Sequence, residues 1–171
     1  MSGAQHAGPA STAAPSAVLT MLALLVLKEH VLVGGLPAPQ QAAALGLAWC
    51  ALPQNTALRE VDVNTALKRC LADECSFLDV DHVELRRWLV DAGWLTRDGF
   101  GREYRRVAAD DLTASAAQIA AALACVDPPR WVADIRAAEM ARRAARRQAW
   151  ETRQAAGHDS EQLASAKKGP A

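Results

Sequence analysis

The side chains whose type and spacing could do chemistry in this sequence are arginines. Arg97, Arg102, Arg105 and Arg106 crowd into one short stretch. Arg142, Arg143, Arg146 and Arg147 form two overlapping i, i+4 pairs. Arg87 sits within Leu85-Arg86-Arg87-Trp88. A guanidinium fork matches two phosphate oxygens at once, so clustered arginines are a common means of holding a polyanion.

Other chemistries find no purchase. The sequence contains no G-x-S-x-G, P-loop, G-x-G-x-x-G or HExxH pattern, and Gly99-Phe100-Gly101 reads as a turn without the strand-to-helix context of a phosphate cradle. Cys50, Cys70, Cys75 and Cys125 include no CxxC pair. Cys70 and Cys75 with His82 would still lack a fourth metal ligand. The cysteines read as small apolar residues of a reducing compartment. The expectation is a protein that is not an enzyme, with no catalytic residue, cofactor or metal.

Of 171 residues, 51% are apolar and 22% charged, enough to build a core and to exclude disorder throughout. Lys+Arg and Asp+Glu are both 19, so bulk charge argues for no particular partner and only local clusters can. Residues 59–107 hold nine basic and ten acidic groups, a net of −1. Residues 130–153 hold seven arginines against three acids, a net of +4. The apolar run Val18–Leu27 is followed by Lys28-Glu29-His30 rather than a cleavage site, and it is too short to span a bilayer. It reads as a buried helix of a cytoplasmic protein with no membrane partner.

Among the elements that would position the arginines, residues 1–16 read as a disordered arm and 17–30 as a short apolar helix. Val31–Val33 is a small β-like run halted by Gly34-Gly35. An Ala-rich helix spans about Gln40–Leu52, with Pro53 beyond it. Leu58–Val61 is extended, Asp62 is the expected N-cap of the next helix, and Val63, Leu67, Cys70 and Leu71 make its apolar stripe. Asp81 with Glu84 resembles a capping box and opens a helix that stops at Gly93. Trp94–Val107 reads as a β-hairpin. Beyond it come an Ala-rich helix over Leu112–Ala124 and, past Pro128-Pro129, a long charged helix over Trp131–Ala155. The expected organisation is a winged-helix-like domain over 17–107, a helical extension over 108–156 and a disordered tail over 157–171. The fold class is mainly α: a winged helix-turn-helix with a small hairpin wing and a C-terminal helical extension. The helix, strand, helix, helix, hairpin order carries that reading.

The segment Asp81–Val107 resembles the C-terminal half of a bacterial domain-of-unknown-function family numbered 2087. Asp81, Leu85, Arg86, Arg87, Leu89, Val90, Asp91 and Gly93 match its Asp-x-x-x-Leu-Arg-Arg-x-Leu-Val-Asp-x-Gly pattern, and Tyr104 the hairpin tyrosine. Val63-Asn64 with Leu67 and the approach through Gly35-Leu36-Pro37 extend the resemblance more loosely, to about residues 30–107. Members of the family often accompany helix-turn-helix regulator domains, so the resemblance implies a regulator-like winged helix. Where they carry a Lys-rich stretch, this chain has Ala38-Pro39-Gln40-Gln41-Ala42-Ala43-Ala44.

At about 100° per residue, and taking Leu85 as zero, Arg86 falls among the apolar positions and is expected to form a partly buried ion pair with Glu60 or Asp62. His82 falls in the same arc and reads as a partly buried histidine. Arg87 and Trp88 can reach solvent, which makes Arg87 the candidate for a groove. Strand alternation puts Arg102, Tyr104 and Arg106 on one face of the hairpin and Glu103 and Arg105 on the other. The expected function is therefore DNA binding by a transcriptional-regulator-like protein through Arg87, Arg97, Arg102, Arg105, Arg106, Arg142, Arg143, Arg146 and Arg147. The alternative is a protein–protein adaptor or homodimerisation module that uses the winged helix as its interaction surface, with the long C-terminal helix and an exposed Trp88 as anchors. The near-zero charge of 59–107 and the missing lysines favour that alternative.

Overall fold

The computed structural model describes the backbone of residues 15–166 and the side chains of 17–156. The N-terminal arm therefore lies outside the described residues apart from residues 15 and 16, as do residues 167–171. Two compact units divide the chain, one ending at Ala133 and the other beginning at Asp134.

The first unit is mainly helical. Its elements are α1 (Pro15–Leu25), α2 (Ala38–Cys50), β1 (Leu58–Arg59), α3 (Glu60–Ala72), α4 (His82–Asp91), β2 (Leu95–Arg97), β3 (Glu103–Arg106) and α5 (Ala114–Leu123). The strands form one antiparallel sheet in the order β1-β3-β2, with Leu58 opposite Tyr104 and Leu95 opposite Arg106. This is the expected winged-helix order with the short strand closing on the hairpin. Val31–Val33 forms no named strand. Val31 makes a single parallel bridge to Leu78, and the chain then turns in a 3₁₀ helix over Val33–Gly35.

Local chemistry sets the ends of the helices. Pro39 stands in the first turn of α2, where its missing N–H costs nothing. The N-cap of α3 is Arg59 rather than Asp62, because β1 delivers the chain directly into the helix at Glu60. Asp62 occupies the third helical position and reaches back to accept from the Arg59 backbone N–H at 3.3 Å and its Nε at 2.9 Å. Asp81 caps α4 as expected, accepting from the N–H groups of Val83 at 2.7 Å and Glu84 at 2.8 Å. The far end of α4 closes in a Schellman motif. Gly93, at φ +75°, donates to Val90 O, and Trp94 donates to Leu89 O. The turn sends Trp94 into the core.

That core is built from Leu22 and Leu25 of α1, Leu45, Leu47 and Trp49 of α2, Leu67 of α3, Leu85 and Leu89 of α4, Trp94, and Leu123 of α5. Trp49 and Trp94 meet with ring centroids 5.5 Å apart at a tilt of 57°, in the range that aromatic pairs favour. Helices α2 and α5 pack tightly at Gly46, where an added Cβ would lie 2.6 Å from Ile119 Cγ2 and 3.1 Å from Trp94 Cη2. The first unit takes in α5 together with the segment expected to form the winged-helix-like domain. An Ala-rich helix with few charges cannot stand in solvent alone, and α5 buries Ala116, Ile119, Ala120, Ala122 and Leu123.

The second unit is the body of α6 (Pro128–Ala166). Its side chains from 140 to 156 are all exposed. The helix continues into the stretch expected to be a disordered tail. Glu161, Gln162, Leu163, Ala164 and Ala166 are good helix formers, and no proline intervenes before Pro170. Among the described residues, no helix is long and apolar enough to cross a membrane.

Candidate nucleic-acid interface

Helix α4 and the hairpin flank a groove of about 430 Å³. Arg86, Arg87, Val90 and Asp91 line it from the helix, Arg97, Phe100 and Tyr104 from the hairpin, and Glu60 from the start of α3. Arg86 forms its floor. Its Nη1 donates to Glu60 Oε1 at 2.8 Å and Asn64 Oδ1 at 2.5 Å, its guanidinium carbon lies 5.4 Å from the Tyr104 ring centroid, and its side chain is only 11% exposed. Of the two partners expected for Arg86, Glu60 is the one it takes. Asp62 is committed to Arg59.

Arg87 and Arg97 are both exposed, and neither forms an ion pair among the described residues. At the hairpin turn, the Asp98 carboxylate accepts from the N–H groups of Arg102 at 2.7 Å and Glu103 at 3.1 Å. These bonds, the one from Glu103 N–H foremost, hold Asp98 below the usual carboxylate range. Asp98 is thus held first by the backbone of the turn, with the charge of Arg102 a smaller influence. Arg102 lies over the Phe100 ring at 5.8 Å, and Arg105 pairs loosely with Glu103 at 3.8 Å. Phe100 itself is 84% exposed. Sequence reasoning passed over it, although a large apolar residue between two turn glycines was a visible signal.

Arg106 departs from the expected arrangement. The face it shares with Tyr104 is the inner one, because Leu58 and Leu95 pair across the sheet from these two residues and are buried with Tyr104. Its guanidinium carbon lies 3.5 Å from the centre of the Trp49 ring, and its Nη1 donates to Leu52 O at 2.8 Å. It therefore does not stand with Arg102 on an outward face. Trp88 is likewise not the exposed anchor expected. It is half-buried, its ring lies against Gly34, and its indole N–H reaches Glu84 Oε1 at 3.4 Å.

On α6 the arginines converge on one acid. Glu139 receives Arg142 at 2.9 Å, Arg143 at 2.9 Å and Arg146 at 3.3 Å. These cations, Arg143 foremost, hold the Glu139 carboxyl below its ordinary value. Glu139 stands three, four and seven residues before them, a spacing readable from the chain. Arg147 is exposed and forms no ion pair among the described residues. The four cysteines are free thiols, with Cys70 and Cys75 buried.

A mainly helical unit with a three-stranded antiparallel sheet, in winged-helix order, is the class that this geometry defines. Residues 38–106 match the sequence model of the family described as "Uncharacterized protein conserved in bacteria (DUF2087)". That is the family which Asp81–Val107 resembles, and the matched segment runs from the start of α2 to the end of β3. Comparison with curated proteins and with solved structures yields no match.

Proposed function

We propose that this chain is a cytoplasmic, regulator-like winged-helix protein that binds duplex nucleic acid, with DNA as its target. The observation that carries the reading is the groove in which Arg87 of α4 and Arg97 of the hairpin, both exposed, stand on facing walls. Arg87 contacts the duplex from the helix and Arg97 grips backbone phosphate. Arg102 and Arg105 add positive charge along the hairpin. Phe100 at its tip supplies an apolar wedge of the kind that minor-groove binders insert between base steps. Glu60 and Asp91 share the groove, but Arg86 already neutralises Glu60. On α6, Arg147 remains for phosphate, whereas Arg142, Arg143 and Arg146 must exchange Glu139 for it.

Fluorescence anisotropy with a labelled duplex tests this. Affinity should fall steeply as salt rises, since each neutralised phosphate contributes about 0.9 to the log–log slope. The double substitution R87A/R97A should reduce that slope by about 2. Absence of affinity at low salt, or affinity that salt leaves unmoved, refutes the proposal.

A second reading, association through α6, is favoured by Met140 and Trp150, which are 71% and 57% exposed. Large apolar side chains exposed on an otherwise polar helix are characteristic anchors of protein contacts. Light scattering on the full chain should then show a dimer that M140A/W150A converts to a monomer.

A further inference from the structure

Arg106 is a cation without an acidic partner among the described residues. Its one hydrogen bond runs from Nη1 to Leu52 O, its face is stacked on Trp49, and its Nε is buried with no hydrogen-bond partner. A buried N–H without an acceptor is uncommon in folded proteins and calls for an explanation. The Nη1 end is spent on Leu52. The unused edge is Nε with Nη2, the pair whose parallel N–H bonds form the side-on fork that carboxylates take.

Arg106 also lines a cavity of about 490 Å³, walled by Trp49, Cys50, Leu123, Ala124 and Asp110, all within the unit that ends at Ala133. That volume lies within the roughly 300–1,000 Å³ of typical small-molecule sites. The lining sets one cation, Arg106, beside apolar Trp49, Ala120 and Leu123, with the polar side chains of Gln54, Asn55 and Asp110 also in it. Cys50 does not supply the missing negative charge, because burial pushes its thiol up to about 11 and keeps it protonated. Asp110, the acid of the lining, forms no ion pair with Arg106. Desolvation holds Arg106 below the ordinary arginine value, the sense expected of a cation whose counter-charge is missing.

We propose that this cavity binds a small organic carboxylate with an apolar body. Its carboxylate is received by Nη2 of Arg106, with Nε completing the fork as the guanidinium tilts on the Trp49 ring. Its body lies against Trp49 and Leu123. The site is separate from the groove of Arg87 and Arg97, to whose lining Arg106 does not contribute. It stands or falls independently of nucleic-acid binding.

Isothermal titration calorimetry on the full chain with phenylacetate, hexanoate, phenylacetamide and inorganic phosphate tests the proposal. At least one of the two carboxylates should bind saturably. The neutral amide should bind at least tenfold more weakly than phenylacetate, and phosphate should give no saturable heat. R106Q should abolish carboxylate binding. A124F, which fills the cavity from an exposed position, should weaken it at least tenfold without altering thermal unfolding. The proposal is overturned if neither carboxylate binds, if the amide matches phenylacetate, if phosphate binds as tightly, or if folded R106Q retains the affinity. Should R106Q not fold, undiminished binding by A124F overturns it.

Discussion

Two side chains show how single residues tie the groove to the fold. Arg86 joins α4 to α3 through Glu60 and Asn64 and lies over Tyr104 of β3. Arg86→Ala leaves an acid and an amide without their partner. Because Glu60 is half exposed and recovers water, the loss should be about 2 kcal/mol, read from urea unfolding. Asp81 acts through the α4 N-terminus. Its bonds from Glu84 and Val83 N–H hold its carboxyl below the ordinary 3.8. A carboxyl depressed in the folded state stabilises the fold above its unfolded value, and that contribution disappears as pH falls through the folded value. Asp81→Ala should therefore lower the urea midpoint at pH 7, and its gap from the parent should close on acidification below about pH 4. Both roles were readable from the chain: Arg86 by its angle among the apolar positions of a helix, Asp81 by its place ahead of Glu84. The inward turn of Arg106 was not. Alternation groups Arg106 with Tyr104, but which side of the hairpin faces the core depends on Leu58 arriving from a distant segment.

At the scale of elements, α4 was legible from end to end, since an Asp cap and a left-handed glycine bracket it. The pairing of β1 was not, because two residues carry no period and only β3 beside them makes a strand. Helix α5 shows a further limit. Its apolar, alanine-rich composition marks it as buried, yet its partner is declared by a single glycine on α2. Gly46→Ala places a methyl group 2.6 Å from Ile119 Cγ2, and overpacking of this kind costs about 1–3 kcal/mol. Thermal unfolding should show a lower midpoint for that variant, whereas Gly99→Ala, with nothing within 4 Å of the added carbon, should leave the midpoint in place.

For the whole molecule, the division at Ala133 carries its own expectation. The core residues all precede it, so a chain ending at Ala133 should keep a cooperative thermal transition and a structured near-ultraviolet circular dichroism spectrum. The excised remainder should lose most of its helicity in water if it is monomeric, because its exposed side chains offer no tertiary packing to hold it. The neutral total of 19 basic and 19 acidic groups conceals how unevenly they are engaged. Glu139 gathers three arginines, while Arg87 and Arg97 form no ion pair among the described residues.

One junction links the groove to the sheet beside it. The chain passes from β1 into α3 with no spacer, Arg59 ending the strand and Glu60 beginning the helix. Any displacement of β3 would therefore pass through β1 to the first turn of α3. That turn carries Glu60, the carboxylate paired with Arg86, so the sheet and the floor of the groove share one covalent hinge.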